Sequence, residues 1–169
     1  MPEWMILAFV VLFGLCIGSF LNVCIYRLPR HESLSFPPSR CTSCGRRLSW
    51  FDNIPVISWT VVGGRCRTCG APISLMYPVV EAVTAAVFAS GYLLYGFTAL
   101  GGVRVAFACA LIVLFVIDLQ HRILPNVITV PGILIGFACS LFLPPGWRDS
   151  LIGIAIGGGT LYAISEIYF

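Results

Sequence analysis

Residues 4–26 read WMILAFVVLFGLCIGSFLNVCIY, which is 23 consecutive positions without a charged side chain. A helix needs about 20 mostly apolar residues to cross the hydrocarbon core of a bilayer. Four more apolar stretches come near that length: Met76 to Gly96, Val103 to Ile117, Val127 to Leu143 and Leu151 to Phe169. The sequence therefore predicts an all-α integral membrane protein with about five transmembrane helices, of which the third and fourth are short.

The composition of the 169 residues supports this class, because 59% are hydrophobic and only 10% are charged. Such a makeup excludes an ordinary soluble domain. The lipid bilayer is therefore the expected partner. Nucleic acid is not expected as a partner, because the net charge of +3 is too small to indicate a nucleic-acid surface.

All ten basic residues are arginines, and seven of them lie between Arg27 and Arg67. Arginine-rich loops close to helix ends stay on the cytoplasmic side of a membrane. We therefore expect an external N-terminus and three regions: a first transmembrane helix over 1–26, a cytoplasmic loop over 27–75, and a transmembrane bundle over 76–169.

Eight cysteines divide into two groups. Cys16, Cys24, Cys109 and Cys139 lie in apolar runs, where a free cysteine packs as a small hydrophobe. The other four form two CxxC pairs in the cytoplasmic loop: Cys41, Cys44, Cys66 and Cys69.

The spacing of the two CxxC pairs is typical of a closed, structural zinc site with four thiolates, in which metal binding supplies most of the folding free energy of the loop. A glycine follows the second cysteine of each pair, Gly45 and Gly70, and permits a tight positive-φ turn. The alternative is two disulfides or four idle thiols, which a reducing compartment disfavours. Apolar residues between the pairs either pack on the metal site or lie at the bilayer surface: Trp50, Phe51, Ile54, Val56, Ile57 and Trp59.

A charged side chain is costly at membrane depth, so Asp118 and Glu81, which lie at or within apolar segments, are functional candidates. Asp118 closes the third span; by itself, the pattern favours a helix-end carboxylate paired with Arg122 at i,i+4 spacing. Glu81 lies about one turn inside the second span. Pairing with an arginine is favoured there over snorkelling or lining a polar cavity.

Ser19 and Asn22 on the first helix, and Gly157 to Gly159 on the fifth, are typical of close helix packing.

Four motifs occur in order along the chain. They are GSFLNV at 18–23 with RLP at 27–29, the paired CxxC motifs, YP at 77–78 with Glu81, and Asp118 with LPN at 124–126. Together they resemble the bacterial type IV prepilin leader peptidases, which belong to the GxGD-type intramembrane aspartic peptidases.

The resemblance implies an inner-membrane aspartic endopeptidase that removes the basic leader of prepilins or pseudopilins on the cytoplasmic side. It implies catalysis by Asp118 and zinc binding by the four loop cysteines. Many members of the family also methylate the new N-terminus with S-adenosylmethionine, and the residues for that activity cannot be placed from the sequence.

An aspartic peptidase needs two carboxylates, one ionised to activate water and one protonated to polarise the amide carbonyl. The family's second aspartate lies in a GxGD motif after the fifth helix, and no such motif occurs up to Phe169. We therefore expect this chain to be a fragment of a longer product and to be inactive by itself.

The main alternative is a non-catalytic membrane scaffold or assembly factor whose zinc loop docks a cytoplasmic partner, since that function needs no second aspartate. A transporter or channel is disfavoured, because only Glu81 and Asp118 offer polar groups near a path and no inverted repeat is visible.

Overall fold

The computed structural model describes residues 2–168 and contains six α-helices within that range. The helices are α1 (Glu3–Arg27), α2 (Ile57–Val61), α3 (Met76–Tyr95), α4 (Ala99–His121), α5 (Asn126–Ser140) and α6 (Trp147–Tyr168). The described residues contain no β-strand, and only two isolated β-bridges occur in the loop between α1 and α3. The predicted all-α fold with a cysteine-bearing loop between its first two long helices is confirmed.

The five predicted spans correspond to α1, α3, α4, α5 and α6, with Phe169 lying outside the described residues. Among the described residues, α1, α3, α4 and α6 are long and apolar enough to cross a membrane. The third span is longer than predicted, because α4 has 23 residues and includes both Arg104 and Asp118. The fourth, α5, has 15 residues, or roughly 22 Å at 1.5 Å per residue, so it is short for the hydrocarbon core.

The first compact unit extends to Pro125, and its centre is the contact between α1 and α3. Glycines on α1 allow the two backbones to approach closely: a Cβ at Gly14 would lie 2.8 Å from the Cα of Ala85, and one at Gly18 would lie 2.6 Å from the Cα of Glu81. Membrane helices gain much of their association energy from such close packing, because lipid offers no hydrophobic driving force between them.

The α4 helix packs mainly on α3 and turns back from it through a short connection. Gly96, at φ 58°, ends α3, and the Thr98 hydroxyl accepts a hydrogen bond from the amide of Gly101 to cap α4. On its inner face Val113 and Ile117 are buried. Because the turn is short, α3 and α4 are antiparallel neighbours, and the end of α4 lies on the same side as the start of α3.

The second compact unit begins at Asn126 and contains α5 and α6. Pro131 lies inside α5, which membrane helices tolerate more readily than soluble ones. The close packing predicted for Gly157 to Gly159 is wrong within the described chain, since a Cβ at any of them would meet nothing within 4 Å. The grouping of residues 76–169 into one bundle stays a prediction.

The cysteines outside the loop differ in burial. Cys24 and Cys109 are buried, as their interpretation as packing residues predicts, and Cys139 is partly buried. Cys16 lies on the exposed surface of α1, so the packing interpretation is wrong for that residue.

Substitution of Gly18 by alanine tests the α1–α3 contact. The new methyl group would overlap backbone atoms of Glu81, so the helices must separate, at a cost of about 1–3 kcal/mol in the free energy of unfolding. Gly102→Ala in α4 is the matched control, because a Cβ there meets no atom within 4 Å. Thermal unfolding in detergent, followed by circular dichroism, should show a lower Tm for Gly18→Ala alone; equal Tm values would contradict the contact.

Candidate metal centre and polar cavity

Each CxxC pair forms the tip of a tight hairpin. In the first, the amide of Cys41 donates to the Arg46 carbonyl (2.9 Å) and that of Gly45 donates to the Cys41 carbonyl (2.9 Å). In the second, the amide of Cys66 donates to the Ala71 carbonyl (2.8 Å), and a matching bond from Gly70 closes the turn. Gly45 and Gly70 have φ of 72° and 70°, so the predicted positive-φ turns are confirmed.

The two hairpins bring their four thiols together into what we call the cysteine cluster, formed by Cys41, Cys44, Cys66 and Cys69. The four sulfurs lie within 4.8 Å of one another, and the Cys41 and Cys69 sulfurs are 3.9 Å apart. Four thiolates at about 2.3 Å from a tetrahedral Zn²⁺ are separated by roughly 3.8 Å. All eight cysteines are free, so the disulfide alternative is not supported and the cluster can hold a metal ion.

The thiols of the cluster differ in acidity. Hydrogen bonds from the backbone amides of Cys69 and Thr68 lower the pKa of Cys66 to about 6. A hydrogen bond from the Ala71 amide favours the thiolate of Cys69, but desolvation and the three neighbouring thiols together raise its pKa to about 11. Four sulfurs this close cannot all carry negative charge without a cation, and a metal ion would displace the remaining protons.

The carboxylate of Asp52, a residue that the sequence analysis did not identify, links the two hairpins. Asp52 accepts from Arg46 at 3.4 Å and pairs with Arg67 at 3.1 Å, and its side chain is only 9% exposed. Arg46 also donates to the Thr68 hydroxyl at 2.8 Å, across to the second hairpin. The only sequence signal was the S-x-x-D pattern from Ser49, which forms a capping box with Asp52.

The loop is tied to the membrane helices through Glu81, a buried residue of α3. Its carboxylate accepts a hydrogen bond from the amide of Val56 at 2.7 Å, and the side chain of Ser19 is a second hydrogen-bonding neighbour. Val56 has φ 59°, which is rare for a β-branched residue. The predicted pairing of Glu81 with an arginine is wrong: both ion pairs within residues 2–168 are made by Asp52.

Arg27, at the end of α1, organises the start of the loop. Arg27 is 8% exposed, and its guanidinium donates to the carbonyls of Ser33 (2.7 Å), Leu34 (3.2 Å) and Pro37 (2.5 Å). Nearby, the Asn22 side chain donates to the Tyr77 carbonyl at 3.0 Å, which confirms the predicted role of Asn22 in joining neighbouring helices.

A cavity of about 940 Å³ lies between the inner end of α1, the first turns of α3 and the two hairpins. Its wall includes Asn22, Tyr26, Tyr77 and Glu81, together with residues of both hairpins. Glu81 therefore lines a polar cavity, which was one of the alternatives that the sequence left open. Asp118 is not among the residues that line the cavity.

Asp118 lies in the last turn of α4, and its side chain is exposed. The helix ends at Arg122, which has φ 54° and whose amide donates to the Asp118 carbonyl at 2.8 Å. The ion pair that the i,i+4 spacing favoured is not formed in the described chain, where both salt bridges involve Asp52. The carboxylate of Asp118 is consequently available at the helix end.

Two family models match the chain. The Bacterial Peptidase A24 N-terminal domain matches residues 12–95, and the Type IV leader peptidase family matches residues 105–169. The first range contains the cysteine cluster and the cavity, and the second contains Asp118.

Curated relatives agree with the family models. A protein named prepilin leader peptidase/N-methyltransferase from Myxococcus xanthus is 45% identical over 88% of this chain and 45% of its own length. Proteins of the same name from Dichelobacter nodosus and Klebsiella pneumoniae are 36% and 35% identical, over 66% and 74% of their lengths. The chain thus spans between about half and three quarters of these relatives, and no solved structure matches it.

Replacement of Asp52 by asparagine tests the carboxylate that links the hairpins. The substitution keeps the side-chain shape but removes the charge that holds Arg46 and Arg67, so we expect a roughly 10- to 100-fold loss of metal affinity. Cobalt(II) absorption, titrated against a chelator, measures the change. Glu32→Gln, an exposed carboxylate of the same loop, is the control; equal affinities in both variants would contradict the role of Asp52.

Proposed function

Because this chain belongs to the type IV leader peptidase family, we propose that the whole protein is a membrane aspartic endopeptidase that cleaves the basic leader of prepilins or pseudopilins. The observation that carries the proposal is the exposed carboxylate of Asp118 at the end of α4, inside the segment that the peptidase family matches. Asp118 supplies one of the two carboxylates of the reaction.

The division of labour between the two carboxylates supports this assignment. One must be ionised to take a proton from water, while the other is protonated and polarises the scissile carbonyl. Glu81 and Asp52 have other hydrogen-bonding partners, a backbone amide and two arginines respectively. The partner of Asp118 in this proposal is the aspartate of the GxGD motif that the family resemblance implies.

The topology of the first unit supports a cytoplasmic active site. The loop precedes α3, and α3 and α4 are antiparallel, so Asp118 and the cysteine cluster lie on the same side. Seven arginines between Arg27 and Arg67 favour the cytoplasm for that side, and in this proposal the N-terminus lies outside the inner membrane. A basic leader would be processed on the side on which prepilins are made.

The metal of the cysteine cluster is Zn²⁺ in this proposal. Its four thiolates leave no open coordination position, so the metal acts in folding of the loop rather than in cleavage. In the folded loop, Asp52 orders the hairpins and Glu81 fixes the loop over the ends of α1 and α3.

A second activity, N-methylation of the processed pilin with S-adenosylmethionine, is part of the proposal, because the relatives carry N-methyltransferase in their names. The cavity of about 940 Å³ is large enough for such a ligand, since small-molecule sites measure about 300–1,000 Å³.

Substitution of Asp118 tests the peptidase proposal. In the native protein purified from the membranes of its own host, Asp118→Asn should slow cleavage of a prepilin by roughly 10²- to 10⁴-fold, because the side chain would no longer exchange a proton with the reacting groups. Asp149→Asn, an exposed carboxylate of α6, is the matched control. Unchanged cleavage in Asp118→Asn would refute the assignment and favour the scaffold function.

Zinc content tests the identity and role of the metal. We expect one zinc per chain by elemental analysis of the purified protein, lost in Cys41→Ser and retained in Cys16→Ser, whose thiol lies outside the cluster. Loss of the metal should also make the loop between α1 and α3 sensitive to protease, because coordination supplies most of its folding free energy. Full zinc content in Cys41→Ser would contradict the proposal.

A further inference from the structure

The short helix α2 carries an apolar face with no partner among the described residues. Ile57 is 58% exposed and Val61 is 69% exposed, and their i,i+4 spacing places them on the same side of the helix. The opposite side faces the second hairpin: the Trp59 indole donates to the Ile73 carbonyl at 3.1 Å, and its ring lies against Gly64. One face of α2 is thus attached to the loop, and the other points away from it.

The position of α2 along the membrane helices is set by the residue that precedes it. Val56 donates to Glu81, which is five residues beyond Met76, the first residue of α3. At 1.5 Å per residue, Glu81 lies roughly 7 Å along the axis from the start of α3. Since α3 is long and apolar enough to span a bilayer, α2 begins at the depth of the first turns of a membrane helix.

The polar groups of α2 and the exposed charges of the loop are compatible with a position at the membrane interface. The Thr60 hydroxyl donates back to the carbonyls of Val56 (3.1 Å) and Ile57 (2.8 Å), so it is satisfied without water. The loop exposes one glutamate, Glu32, against five arginines: Arg30, Arg40, Arg47, Arg65 and Arg67. Exposed arginines are attracted to the anionic lipids of a cytoplasmic leaflet.

We propose that α2 lies in the membrane interface on the side of the cysteine cluster, with Ile57 and Val61 inserted among the acyl chains and the exposed arginines at the lipid phosphates. The occupant of the apolar face is the bilayer itself. Helices of this kind bury their apolar face roughly 5–10 Å into the boundary between headgroups and acyl chains, which agrees with the depth of Glu81. The loop is then held at the membrane independently of any catalytic function.

Photo-crosslinking to lipid tests the position of α2. The full chain, carrying benzoylphenylalanine at one position, is reconstituted in vesicles of phosphatidylethanolamine and phosphatidylglycerol and irradiated, and lipid adducts are measured by mass spectrometry. We expect adducts several-fold more abundant at positions 57 and 61 than at 42, because Thr42 is an exposed residue of the first hairpin. Zinc content per chain verifies that each variant is folded.

The proposal would be overturned if lipid adducts at positions 57 and 61 were no more abundant than at position 42. Crosslinks from positions 57 and 61 to another protein chain would assign the face to a protein partner instead.

A second measurement does not depend on the photoreactive group: lipid brominated in its acyl chains should quench the added fluorescence of Ile57→Trp more strongly than that of Thr42→Trp. Equal quenching would overturn the proposal as well.

Discussion

The close approach of α1 to α3 at Gly18 is the constraint on which the rest of the first unit depends. Because Gly18 has no side chain, the backbone of Glu81 lies directly against α1. The carboxylate of Glu81 is then within hydrogen-bond distance of the loop. The Glu81 carboxylate accepts a hydrogen bond from the amide of Val56 and forms part of the cavity wall. A contact between the backbones of two membrane helices thus determines where the loop between α1 and α3 lies.

Two kinds of interaction order the loop: hydrogen bonds within each hairpin and ion pairs between the two hairpins. Within each hairpin, backbone hydrogen bonds and a positive-φ glycine shape one half of the metal site. Between the hairpins, the single carboxylate of Asp52 pairs with both Arg46 and Arg67, so a net positive charge remains beside the four thiols. A metal with four thiolates carries excess negative charge, and nearby guanidinium groups reduce its electrostatic cost.

The short connection between α3 and α4 determines on which side of the helices Asp118 lies. The antiparallel arrangement puts Asp118 on the same side as the cysteine cluster, although the two are far apart in sequence. Asp118 forms no ion pair within residues 2–168, whereas Glu81 accepts a hydrogen bond from a backbone amide and Asp52 pairs with two arginines. The three carboxylates therefore have different surroundings: Asp118 is exposed at a helix end, Glu81 joins the loop to the membrane helices, and Asp52 joins the hairpins.

The sequence by itself determined the apolar spans, the pairing of the CxxC motifs and the glycine turns, because these depend on local hydrophobicity, spacing and backbone conformation. Only the tertiary structure decided the partners of Glu81 and Asp52, and the lack of an ion pair at Asp118 within residues 2–168. A charge in the sequence has several possible partners within reach, and the i,i+4 rule that favoured Arg122 for Asp118 holds only while the helix continues. The backbone turns left-handed at Arg122, and distant segments supply the partners of the other two carboxylates.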